Sequence, residues 1–184
     1  MTDSDLLAGI IKRERRAFDL FYDRYAQIIF NLCVRILRDE AEAQDVLQEI
    51  FVQIWRDASR FDAARASVKT WLFTIARSRS LDRYRSRKAA TSRLQEQAND
   101  EIQQIAGKED LQGVSILQQY VRKALEQLSR EQRIVLELSY YEGLTQDEIA
   151  ARLNEPLGTI KSRIRSALIR LRALYSGEET DAET

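Results

Sequence analysis

The chain has 184 residues, 44% of them hydrophobic and 32% charged, and a formal net charge of +0. That is enough for one medium domain or two small ones. One cysteine and no histidine rule out an intramolecular disulfide, remove the commonest acid–base group and leave no ligand set for zinc. No metal or other cofactor is expected, and no constellation of catalytic side chains stands out. No apolar run approaches the roughly 20 residues that span a bilayer. The opening MTDSDLL lacks the apolar core of a signal peptide. A cytoplasmic protein without membrane insertion is the expectation.

One proline and six glycines, with abundant Ala, Leu, Arg, Gln and Glu, predict an all-α fold. Phe18, Phe21, Tyr25, Ile28, Ile29, Leu32, Ile36 and Leu37 keep helical spacing, which predicts one long helix over Glu14 to Arg38. Cys33 lies within it and reads as a small core residue. Asp39, with Glu42 three residues on, reads as a capping box opening a second helix. RFDAARAS, residues 60–67, breaks the pattern as a loop, and Ser67 can cap a third helix. Its apolar stripe is Val68, Trp71, Leu72, Ile75 and Ala76.

The stripe fails from about Lys88, and residues 88–113 read as a flexible linker. Periodicity resumes at Val114 with Leu117, Tyr120, Val121, Ala124, Leu125 and Leu128. Ser129 and Gln132 form a second capping box, and Gly143 stops the helix it opens. Thr145 and Glu148 form a third, Asn154 suits a left-handed turn, and Pro156 suits a first helical turn. Ile160, Ile164, Leu168, Leu171 and Leu174 are the expected inward stripe of the last helix. Residues 176–184 are an acidic tail, expected to be disordered. Two small helical domains, 1–87 and 114–175, result, the second holding a helix-turn-helix.

Net zero hides segregation. Residues 65–93 carry 9 basic side chains against Asp82 alone, and residues 149–175 carry 6 against Glu155 alone. Acidic stretches separate and flank these blocks. Two blocks nearly free of acids suggest two separate polyanion contacts. On the last helix Lys161, Ser162, Arg163, Arg165 and Ser166 face away from the expected stripe, as side chains that read base edges and phosphates do.

LTQDEIAARLNEPLGTIKSRIRSALIRLR, with the preceding ALEQLSREQRIVLELSYYEGLT, resembles the promoter-reading module of bacterial sigma factors of the extracytoplasmic-function (ECF) type. DEAEAQDVLQEIFVQIW resembles the polymerase-binding helix of that family, and TWLFTIARSRSLDRYRSR its segment that reads the minus-ten element. The likeness covers almost the whole chain in the family's order. It implies a sigma factor whose partners are core RNA polymerase, promoter DNA in duplex and melted form, and an anti-sigma factor.

By that resemblance Asp45, Gln48, Glu49, Phe51, Val52 and Trp55 would dock on polymerase. Phe61, Ser67, Lys69, Thr70, Trp71, Arg77, Ser78, Arg79, Arg83, Arg85 and Arg87 would take the minus-ten strand, by stacking and phosphate contact. For Trp55 and Trp71 a place in the core is the favoured alternative. Thr145, Thr159, Lys161, Ser162, Arg163, Arg165 and Ser166 would contact the minus-35 duplex. Two positions depart from the family's usual pattern: Ser78 where Asn is frequent, and Asn154 where Gly is frequent. A stand-alone helix-turn-helix regulator is the competing reading; it needs only the second basic block.

Overall fold

The computed structural model describes residues 1–95 and 125–178, with side chains for 1–90 and 125–174. Among them every regular element is helical: α1 (Asp3–Ile11), α2 (Arg15–Leu37), α3 (Glu40–Asp57), α4 (Val68–Gln95), α5 (Arg130–Tyr140), α6 (Gln146–Leu153) and α7 (Leu157–Glu178), with a 3-10 turn at Ala58–Arg60. The chain divides into two compact units, Met1–Asp100 and Glu101–Thr184. Residues 96–124 and 179–184, given readings above, lie outside the described residues; of the tail read as 176–184, residues 176–178 are instead the end of α7.

In the first unit α2 is the central helix, packing on α1, α3 and α4. Phe21, Ile29, Cys33 and Leu37 of α2, Val46, Ile50 and Ile54 of α3, and Leu72 and Ala76 of α4 are fully buried. Helix α1 was not anticipated. Its signal was present: Thr2 and Asp5 close a full capping box, and Leu6, Leu7 and Ile10 are buried. Gly9 lets α1 lie against α2, because a Cβ there would stand 2.5 Å from the Ala17 Cβ.

Asp39 caps α3 as expected, accepting from the Glu42 N–H at 3.0 Å. The reciprocal bond is absent, because the Glu42 carboxylate is taken by Arg87 at 3.0 Å. Ser67 caps α4 by accepting from the Thr70 N–H. That helix continues past Arg87 to Gln95, into the stretch read as linker. Helix-forming residues without an apolar stripe can still extend a helix that packing has nucleated.

In the second unit Val135, Leu138, Ile149 and Ile160 form the buried core, with Ile134, Leu144, Leu153 and Ile164 packed around it. The boxes at Ser129 and Thr145 are both complete. Gly143 (φ 64°) and Asn154 (φ 52°) take left-handed conformations where the chain turns. Pro156 precedes α7, its carbonyl accepting from Thr159 and Ile160. One expectation about the stripe fails: Leu168 is 54% exposed, and Ala167 occupies the buried position. Ile160, Ile164, Ala167, Leu171 and Leu174, at steps of four, three, four and three, track the 3.6-residue turn more closely than two successive steps of four do.

Candidate polymerase and nucleic-acid interfaces

Helix α3 carries the residues expected to meet polymerase. Asp45, Gln48, Glu49 and Val52 are exposed, Val52 at 63%. Steps of three and four place Asp45, Gln48 and Val52 on one stripe. Phe51 requires correction: it is 2% exposed, so it supports this surface from beneath and does not reach a partner. Its ring lies 4.6 Å from Tyr22, 6.2 Å from Phe18 and 6.4 Å from Phe21. The buried stripe of α3 and the seam under α2 claim the same side chain.

Trp55 is half-buried, edge-on to Phe18 at 5.2 Å, with the Arg13 guanidinium 5.4 Å from its ring centroid. Arg13, itself left-handed (φ 63°), also donates to the Trp55 carbonyl. A cation at the end of α3 complements its dipole and stacks on the indole face. Arg13 and the partly exposed Tyr22 were missed from sequence. Tyr22 follows Phe18 by one helical turn, a signal that could have found it.

The loop before α4 is ordered by its own polar groups. Asp62 accepts from the Ala64 N–H at 2.9 Å in an Asx turn. Phe61 stands edge-on to Trp71, centroids 5.5 Å apart, and both are half-buried. Ser67 and Thr70 share a hydroxyl–hydroxyl bond of 2.9 Å. Lys69 and Ser78 are exposed, as is Arg85, and Arg77 is half-buried. The structure thus groups Phe61, Ser67, Thr70 and Trp71 at the loop–helix junction.

Arg79, Arg83 and Arg87 do not join them. Their spacing of four places all three on the face of α4 that meets α3. Arg79 donates to Gln53 at 2.8 Å, Arg83 to Glu49 at 2.6 Å, and Arg87 to Glu42 at 3.0 Å and to the Leu37 carbonyl at 2.6 Å. Numbers rise along one helix as they fall along the other, so α3 and α4 run antiparallel. These three arginines, expected on phosphates, instead bind one helix to the next. Spacing on α4 alone does not disclose the carboxylates and the amide that face it.

Nearby carboxylates respond to such neighbours. Asp57 is held below its ordinary 3.8 by the hydrogen bond from Arg56, reinforced by the charges of Arg56, Arg60 and Arg79. For Asp3 partial burial acts upward, but the nearby Tyr25 hydroxyl and the hydrogen bond from Arg24 outweigh it and lower the value. The Tyr25 hydroxyl is raised by burial first and by Asp3 second.

In the second unit the expected duplex contacts also divide. Gly158, Lys161, Ser162 and Arg165 are exposed along one side of α7. Thr145 is exposed but its hydroxyl is engaged in the cap with Glu148. Thr159 is half-buried. Arg163 pairs with Glu155, and Ser166 accepts from Gln132 at 3.0 Å while donating to the Arg163 carbonyl at 3.1 Å. Gln132 uses both ends of its amide, its oxygen accepting from the Ser129 N–H. Ser166, although exposed, is thus hydrogen-bonded to α5, and Arg163 is paired across the turn, so both already have partners within the fold.

Two family models match the chain: "Sigma-70 region 2" over residues 21–90 and "Sigma-70, region 4" over residues 124–173. A relative named ECF RNA polymerase sigma factor SigK, from Mycobacterium ulcerans, is 38% identical over 176 residues, covering 91% of this chain and 90% of its own. SigK of Mycobacterium tuberculosis strain H37Rv is 37% identical at the same coverage. Among solved structures, Rhodobacter sphaeroides SigE in complex with the anti-sigma ChrR is 31% identical, covering 93% of this chain and 96% of that one, with a TM-score of 0.47. On the two regions and the relatives together, the chain belongs to the sigma-70 family, as an ECF RNA polymerase sigma factor.

Proposed function

We infer that this protein is a dissociable subunit of RNA polymerase that binds the core enzyme, directs it to specific promoters and promotes initiation. One observation carries the reading: region 2 and region 4 lie in one chain, in order, each in a compact unit of its own. A stand-alone helix-turn-helix regulator would leave residues 21–90 without a purpose. Family membership also supports restraint by an anti-sigma factor and a cytoplasmic location. Among the described residues no helix is long and apolar enough to cross a membrane.

Within the first unit, the exposed stripe Asp45, Gln48 and Val52, rimmed by Glu49 and Trp55, is the surface for polymerase. An exposed valine among polar groups, over packed aromatics, suits an interface centre. The junction of Phe61, Ser67, Thr70 and Trp71, with Lys69 and Ser78 beside it, serves the melted strand. In the second unit Lys161, Ser162 and Arg165 serve the duplex.

Run-off transcription with core polymerase on a genomic promoter library tests the reading. New, sigma-dependent start sites are expected, and failure to bind core or redirect initiation overturns it. Val52→Glu should abolish core binding while leaving the helical circular dichroism and thermal midpoint unchanged, since the side chain is outside the core. Full core binding by that variant would remove the α3 stripe from the interface.

A further inference from the structure

Helix α1 ends in a turn closed by two backbone bonds. The Glu14 N–H donates to the Gly9 carbonyl at 3.0 Å, and the Arg13 N–H to the Ile10 carbonyl at 2.9 Å. This is the pairing of a Schellman motif, which sets the residue after the cap in a left-handed conformation. Glycine is the usual choice there, because a Cβ crowds the following carbonyl. Gly143 and Asn154, the left-handed residues of the second unit, are of the types that take such angles readily. At the end of α1 the residue is Arg13, at φ 63°. The turn by itself does not favour an arginine.

The side chain makes contacts that glycine could not. The Arg13 guanidinium donates to the Trp55 carbonyl, in the last turn of α3, and lies 5.4 Å from the centroid of the Trp55 ring. Phe18 meets the same ring edge-on at 5.2 Å. The indole is therefore held by a cation and by an aromatic edge. Arg13 is exposed and Trp55 half-buried, so the pair reaches the surface. Trp55 follows Val52 by three residues and Gln48 by seven, which continues the stripe of Asp45, Gln48 and Val52 to the end of α3.

We propose that Arg13 is a positioning residue for polymerase binding: it holds the Trp55 indole at the end of the α3 stripe in the orientation in which the polymerase meets it. The inference rests on the sigma-factor reading and on the α3 surface proposed above. An indole already held in one orientation loses less freedom on association than one ordered by the partner, and buried aromatics dominate many interfaces. A guanidinium suits the task, since its plane stacks on a ring while its N–H groups donate elsewhere; an ammonium does this less well.

The test uses the full chain with core polymerase, as wild type, Arg13→Gly, Trp55→Leu and the double variant. Trp55→Leu keeps an apolar side chain against Phe18 and removes the ring on which Arg13 stacks. Core affinity and thermal midpoint are measured for each. Arg13→Gly removes the guanidinium and gives the turn the residue it favours. Its midpoint is expected to be equal or higher, and its core affinity to fall about three- to tenfold, the cost of ordering one side chain at an interface. In the Trp55→Leu background Arg13→Gly should cause no further loss, because it acts through the indole. Arg13→Lys should bind core more tightly than Arg13→Gly and less tightly than wild type. In a Trp71→Phe background, Arg13→Gly should raise acrylamide quenching of Trp55 in the free chain.

Equal core affinity of wild type and Arg13→Gly overturns the proposal. So does an equal loss with and without Trp55, which would mean that Arg13 touches the polymerase itself. A lowered midpoint overturns it too, by making the arginine a requirement of the fold, as does unchanged quenching. Full core binding by Val52→Glu, or a wild-type chain that does not bind core, would instead overturn the readings on which the proposal rests.

Discussion

At the scale of single residues, the surroundings of a side chain decide its part more than its type does. Gly9 and Gly158 are both helical glycines, yet only Gly9 is walled in by Ala17. Gly9→Val should destabilise the first unit by about 1–3 kcal/mol, the range for overpacking a close contact, measured by denaturant unfolding. The acids of that unit give a second expectation. Asp3, Asp5 and Asp57 all have folded values below the ordinary 3.8. A depressed carboxylate contributes stability above its unfolded value and loses it as pH falls through the folded one. Stability should therefore be level at neutral pH and decline below about pH 4, with Arg56→Ala making the Asp57 part of that decline smaller. A flat stability curve from pH 5 to pH 2 would contradict this. Asp57 itself is largely covered, but its partner Arg56 is 66% exposed, so solvent screens the pair and the effect per residue is small.

At the scale of elements, caps and ladders carry the argument. The Thr145 hydroxyl accepts from the Glu148 N–H while the Thr145 N–H donates back at 2.7 Å, so both halves of the box close α6. Thr145→Ala should cost about 1 kcal/mol, read from the unfolding midpoint of the second unit. Between α3 and α4 the Arg83–Glu49 pair lies at the surface, its side chains 33% and 48% exposed. A double-mutant cycle should give a coupling of roughly 0–1 kcal/mol, weakening with salt. A coupling of several kcal/mol would mean the pair is far better shielded than its exposure implies. Glu49 is thus an acid of the proposed polymerase surface already engaged by an arginine of the next helix, a pairing that spacing along either helix alone does not reveal.

At the scale of the molecule, the net charge of +0 is the sum of opposed patches, and their placement explains why a DNA-binding chain can be neutral. Two basic blocks lie on α4 and α7, and two arginines of the first, Arg83 and Arg87, are paired with acids of α3. Promoter affinity should consequently depend on the other basic side chains. Lys161→Ala is expected to weaken promoter binding about equally across sequences and to lower the salt slope by about 1, measured by titrating holoenzyme on promoter DNA at several salt concentrations. Each unit has its own buried core, at Phe21, Ile50 and Leu72 in one and at Val135, Ile149 and Ile160 in the other.

The sequence by itself determined the helical class, the ends of α2, α5 and α6, the left-handed turn at Asn154 and the family. These are local properties: caps, breakers and a 3.6-residue period act within a few residues, and motifs keep their order along the chain. It also contained α1, whose capping box and apolar residues Leu6, Leu7 and Ile10 went unread because its few turns offer little periodicity. Only the tertiary structure decided which polar side chains remain for a partner. Arg79, Arg83 and Arg87 are claimed by α3, Arg163 by Glu155, Ser166 by Gln132, and Phe51 by the aromatic seam under α2. A helix offers every side chain at a regular angle, but which angle faces a neighbour depends on packing between segments distant in sequence.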